Sequence, residues 1–73
     1  MTTSTTSLLQ IAVNGAALAT AAETLADLVV EQGFGGTKVA TAVNGEFVAE
    51  RLRASTKLMS ADRIEILSVR QGG

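Results

Sequence analysis

The residues with the clearest chemical use stand at the end of the sequence, Gly72-Gly73. Neither carries a side chain, so such an end can extend into a narrow channel of another protein. A terminal glycine carboxylate is also sterically open. An adenylyl group can be transferred to it, and a nucleophile can then attack the acyl-adenylate without hindrance. With glycine near 7% of residues, two final glycines arise by chance in about one chain in 200. The pair alone is therefore moderate evidence, and it gains weight from what precedes it.

No other group in the chain competes for the chemistry. There is no histidine and no cysteine. That removes the commonest general base, thiol nucleophiles, disulfides and a zinc site of the usual kind. No phosphate-binding glycine loop of the Walker or GxGxxG type is present. The carboxylates Glu23, Asp27, Glu31, Glu46, Glu50, Asp62 and Glu65 are spread over caps, turns and exposed faces. A paired-carboxylate acid/base site needs two of them together in a cleft. The expectation is a non-enzyme with no catalytic residues, no bound cofactor and no metal.

Seven acids against six bases give a formal charge of −1, which is no electrostatic footprint for nucleic acid. Apolar residues make up 47% of the chain, but no run approaches the roughly 18 residues a membrane span needs. Residues 1–7 are rich in Thr and Ser, with no basic and apolar signal-peptide pattern, and are expected to be a disordered lead-in. The expected organisation is a single domain over 8–70 and a flexible tail over 71–73. The expected location is the cytoplasm.

The elements that must position the tail follow from periodicity. Leu8 to Asn14 predicts a strand, with Leu9, Ile11 and Val13 on one face. Asn14-Gly15 predicts a type I′ hairpin turn, which needs φ > 0 at both central residues. A weak alanine-rich strand follows, with Leu18 inward. Thr24 and Asp27 predict a capped helix start of the capping-box kind. Leu25, Leu28, Val29 and Gln32 form its stripe, and Gly33 ends it. Lys38 to Val43 predicts a third strand, turned by Asn44-Gly45 into Glu46-Phe47-Val48. The words Ala-Val-Asn-Gly at 12–15 and 42–45 are identical, and they read as one turn chemistry used twice.

Glu50 to Leu58 reads as irregular, with one helical turn around Ala49 to Arg53. Ser60-Ala61-Asp62 reads as a polar turn. Arg63 to Arg70 is the best strand of the chain. Ile64 and Ile66 lie on one face, and Glu65, Leu67 and Val69 on the other. A hairpin, a helix and further strands pack as an α+β fold, a mixed sheet of four to five strands with one main helix across one face. The first and last strands are expected side by side and parallel, with the helix over Leu9, Ile11, Val13, Ile64 and Ile66. This is the β-grasp, or ubiquitin-like, arrangement.

Five stretches, in order, resemble the ThiS family of sulfur carriers in thiamin thiazole synthesis. They are Ile11-Ala12-Val13-Asn14-Gly15, Thr24-Leu25-Ala26-Asp27-Leu28-Val29, Val43-Asn44-Gly45-Glu46-Phe47-Val48, Asp62-Arg63-Ile64-Glu65-Ile66 and Gly72-Gly73. The resemblance implies that Gly73 is adenylated with ATP and converted to a thiocarboxylate, with Gly72 as spacer. It implies an E1-like adenylyltransferase of the ThiF type, a sulfur-donating enzyme and a thiazole synthase of the ThiG type as partners, and ATP used by the first of them. Three features depart from the family. Ala49 to Arg53 replaces a segment that often holds Pro and an aromatic residue. Ser60-Ala61-Asp62 stands where Asp-Gly-Asp is common. The Thr/Ser-rich start is extra.

The sheet face away from the helix is expected to dock partners through Glu65, Leu67 and Val69, with Arg70 and Gln71 guiding the tail at the channel mouth. Alternatives are a carrier for molybdopterin, as the small subunit of molybdopterin synthase, a carrier for cysteine synthesis, or a ubiquitin-like binding module whose tail is not a sulfur carrier.

Overall fold

The structure is a computed structural model that describes residues 8–68. Strands β1 (Leu9–Val13) and β2 (Ala16–Thr20) form the first hairpin. Their register runs from Leu9 opposite Thr20 to Val13 opposite Ala16. Asn14 and Gly15 have φ of 52° and 85°, the two left-handed residues that a type I′ turn requires. Strands β3 (Val39–Val43) and β4 (Glu46–Val48) repeat the device, with φ of 52° at Asn44 and 86° at Gly45.

Helix α1 (Leu25–Glu31) lies between the hairpins in sequence. Thr24 caps it, its Oγ1 accepting from Asp27 N–H at 3.2 Å. The expected capping box is only half formed. Among the described residues the Asp27 carboxylate returns no bond to the Thr24 N–H. Gly33 ends the helix with φ of 89°, where a Cβ would be strained.

The last described strand is β5 (Arg63–Ser68). The sheet order is β2-β1-β5-β3-β4, five strands. β1 and β5 are adjacent and parallel as expected, and β3 runs antiparallel to β5 on its other side. The period-two patterns explain the layering. Ile11, Val39, Ile64 and Ile66 point to one face and are buried against Leu25, Leu28 and Val29 of α1 and against Leu58. Leu9, Val13, Leu18 and Val48 close the margins of this core. Each fully buried leucine or isoleucine here contributes roughly 1.5–3 kcal/mol of transfer free energy.

Two threonines occupy core-facing strand positions and are satisfied internally. The Thr20 hydroxyl donates to the Glu31 carboxylate and accepts from Ala22 N–H, the latter at 3.0 Å. The Thr41 hydroxyl donates to the Val48 carbonyl at 2.8 Å. Residues 50–58 are more regular than the sequence implied. Glu50–Ser55 forms a 3₁₀ helix of six residues, closed by the Ser55 and Thr56 hydroxyls donating to the Leu52 carbonyl. Its inward face rests on one long side chain, Arg53, so it left no apolar stripe to read. Among the described residues no helix is long and apolar enough to cross a membrane.

Candidate functional site

β5 carries the chain toward residue 69, so its mounting decides the direction in which the described strand ends. The mounting is asymmetric. On one side β3 pairs along the whole strand, from Val43 opposite Ile64 to Val39 opposite Ser68. On the other side β1 overlaps β5 only at Ala12 opposite Arg63 and Val13 opposite Ile64. β5 therefore projects past the end of β1 in the direction of the tail.

One asparagine side chain compensates for the short overlap with β1, and a second clamps β5 on its β3 side. Asn14 Nδ2 donates to the Ile66 carbonyl at 3.0 Å, and Ile66 N–H donates to Asn14 Oδ1 at 2.9 Å. A side-chain amide has the same donor and acceptor as a peptide group. Asn14 thus extends the β1 ladder by one rung after the backbone has turned away. Across the strand, Arg63 N–H donates to Asn44 Oδ1 at 2.9 Å and Asn44 N–H to the Arg63 carbonyl at 2.7 Å. Asn44 Nδ2 donates to Asp62 Oδ1 at 3.0 Å. Both turns of the repeated Ala-Val-Asn-Gly word thus grip the same strand from opposite sides. Sequence reasoning found the turns and missed the clamps. The repeated word was the signal that could have pointed to them.

The sheet face away from α1 is built largely of small residues. Ala12, Ala17 and Ala19 come from the first hairpin, and Ala40 and Ala42 from β3. Leu67 stands on this face, opposite Ala40 and 61% exposed. Glu65 lies beside it opposite Ala42 and is exposed. Among the described residues the face holds a further large apolar group that the sequence reading did not single out, Phe47, opposite Ala42 and 72% exposed. The two-residue turn fixes its direction, because Val48 faces the core and its neighbour must face away. Between the two turns lies an open hollow of about 300 Å³, lined by Ala12, Gly15, Gly45, Arg63 and Glu65.

The structure thus brings Glu65 and Leu67 together on one open face, as expected. Val69, Arg70, Gln71, Gly72 and Gly73 lie outside the described residues. Among the described residues no group of three or more Asp or Glu side chains could hold a metal ion. What the arrangement offers chemically is a rigid strand, gripped on both sides, next to an alanine floor with two apolar knobs. An exposed apolar patch on so small a head suits a protein partner.

The ThiS family model matches residues 7–73 of the chain. No curated protein matches it. Among solved structures, the chain is similar to the thiamine biosynthesis protein ThiS from Geobacter metallireducens. The TM-score is 0.74 at 23% identity, over 89% of this chain and 100% of that one. At that identity the likeness concerns the fold, and it agrees with the β-grasp layering of sheet and helix.

Proposed function

The chain belongs to the ThiS family, and on that premise we propose that it is a sulfur carrier protein acting in thiamin thiazole formation. The single observation that carries this reading is the family match, which runs through Gly73. The asymmetric mounting of β5 supports it, since that strand is held rigidly while its far end stands clear of β1.

In this reading the Gly73 carboxylate oxygen attacks the α-phosphorus of ATP in an E1-like adenylyltransferase, and pyrophosphate leaves. Hydrosulfide released by a donor enzyme then attacks the acyl carbon, AMP leaves and a proton is lost, and the resulting thiocarboxylate delivers sulfur to a thiazole synthase. Gly72 supplies reach through a narrow channel. The head is a substrate held by its open face, with Leu67, Phe47 and Glu65 in contact with the adenylyltransferase. Val69, Arg70 and Gln71 lead the tail to the channel mouth.

Intact-mass measurement tests this reading. The chain is incubated with ATP, an E1-like partner and a sulfur donor. One oxygen-to-sulfur exchange is expected, and it should disappear when Gly73 is deleted. Attachment to other proteins, or an unchanged mass with an active partner, would overturn it. Transfer of the sulfur to a thiazole synthase rather than to a molybdopterin precursor identifies the pathway.

A further inference from the structure

The loop that joins α1 to β3 and the 3₁₀ helix Glu50–Ser55 meet at a second hollow, of about 330 Å³, that the carrier reading does not use. Gly35, Gly36, Thr37, Lys38, Glu50 and Arg53 line it. Arg53 is buried at 9% exposure. Its Nε donates to Thr41 Oγ1 at 3.0 Å and one terminal nitrogen to the Val39 carbonyl at 2.7 Å. Both partners are neutral oxygens. Of a guanidinium's five N–H donors, two are engaged here. Among the described residues no buried side-chain nitrogen lacks a partner, so the unbonded edge of the guanidinium is open to solvent and to an anion that reaches it.

The loop supplies matching donors. Thr37 N–H donates to the Phe34 carbonyl at 3.0 Å, which makes Gly35 and Gly36 the two central residues of a tight turn. Among the described residues the Gly35 and Gly36 N–H groups donate to no protein acceptor. A Cβ at Gly36 would meet nothing within 4 Å, and one at Gly35 only an ordinary contact of 3.6 Å with Val30. Packing therefore does not demand glycine at either position, whereas bare glycines leave their N–H groups open to a ligand. Lys38 follows directly and adds an ammonium.

We infer that this hollow binds a phosphate-class oxyanion, held by the free edge of Arg53, the Lys38 ammonium and the Gly35-Gly36 N–H groups. A turn's N–H groups, a flexible ammonium and a planar guanidinium offer several separate donors to one ligand. They suit a tetrahedral group with three oxygens better than a flat carboxylate. Glu50 stands one 3₁₀ turn before Arg53 and so on the same side of that helix. Its carboxylate competes with the ligand at the rim. Because Val39 pairs with Ser68, the site sits at the end of the sheet from which β5 leaves toward residue 69.

The test is a ¹H–¹⁵N titration of the full chain with inorganic phosphate, methyl phosphate and acetate at matched ionic strength. Saturable shifts are expected at Gly35, Gly36, Thr37, Lys38 and the Arg53 Nε–H. A stronger response to methyl phosphate than to inorganic phosphate assigns the site to a phosphoryl group carried on a larger molecule, and the reverse order to free phosphate. Lys38→Ala should weaken binding about fivefold, the size of one exposed ion pair, and Glu50→Gln should strengthen it about as much. Arg53→Gln should abolish it. Lys38 and Glu50 are exposed, so their variants keep the fold even if Arg53→Gln does not. Non-saturating shifts, shifts spread over all basic residues, equal binding of acetate, or unchanged affinity in the Lys38 and Glu50 variants would each overturn the site. None of these readouts involves Gly73, so the site can fail while the carrier reading stands.

Discussion

Asn14 and Ile66 lie 52 positions apart and exchange two hydrogen bonds, Nδ2 to carbonyl at 3.0 Å and N–H to Oδ1 at 2.9 Å. One side chain thereby serves as a rung of parallel sheet, where β1 has ended and β5 has not. The contact is part-buried, so water replaces it poorly.

Asn14→Gly isolates that contact, because glycine keeps the positive φ of the turn and deletes only the amide. It should destabilise the fold by about 1–2 kcal/mol, the sum expected for two such bonds in a part-buried setting. Urea unfolding measures this, and hydrogen exchange at Ile66 should rise in step. Equal stability of the variant would show that the side-chain rung contributes nothing. Asn44→Gly should cost less, because its side-chain bonds are exposed.

Ala61 stands at φ of 71°, in the left-handed region, within the turn that leads into β5. Its N–H is held by the Gln10 carbonyl at 2.8 Å, so the turn cannot relax easily. A non-glycine residue in that region costs roughly 1–2 kcal/mol. Glycine gives back about 0.4–1 kcal/mol through its freer unfolded chain. The difference decides the sign, and Ala61→Gly should raise stability by about 0.5–1 kcal/mol. A melting temperature that is unchanged or lower would contradict the strain.

Thr20 is 1% exposed and its hydroxyl joins β2 to the end of α1 through Glu31 while also accepting from Ala22 N–H. Thr20→Val keeps the shape and removes both bonds. The cost should be about 1–2 kcal/mol, since Ala22 N–H loses its partner in a part-buried site. Glu31→Gln tests the other half. In a double-mutant cycle the two changes should couple rather than add.

Leu67 and Phe47 are exposed apolar knobs on the open face. Leu67→Asp should leave thermal stability nearly unchanged, because the side chain is already in water. In ATP-dependent activation by an E1-like partner it should raise KM about tenfold, corresponding to roughly 1.4 kcal/mol of lost contact. Thr37→Ala, off this face, serves as the control. An unaltered KM for both Leu67→Asp and Phe47→Asp would move the docking surface elsewhere.

The departures from the family pattern now have structural places. Ala61 occupies the position where the family commonly has glycine, and the positive φ explains that preference. Arg53 falls in the segment that often holds an aromatic residue, and here its guanidinium is buried on β3 by hydrogen bonds. The carboxylate of Asp62 accepts from both Met59 N–H and Asn44 Nδ2 and so ties the turn to the second hairpin.

Local rules acting on local residues made much of the molecule legible from its sequence. Period-two alternation marked β1 and β5, and richness in Val and Thr marked β3. Two Asn-Gly pairs dictated the hairpin turns, and Thr24 and Gly33 bounded the helix. The parallel pairing of β1 with β5 followed because both carried the strongest apolar faces, and burying both demanded adjacency. The Gly72-Gly73 pair pointed to the proposed carrier chemistry because the chain has no histidine or cysteine to compete with it. Only the tertiary structure decided the stagger of the two hairpins along β5, the use of Asn14 and Asn44 as clamps, the burial of Arg53 and the shared face of Phe47 and Leu67. Each of these joins groups far apart in the chain. The free energy that fixes them comes from burial and hydrogen bonds formed when the layers close, and no short window of sequence contains that information.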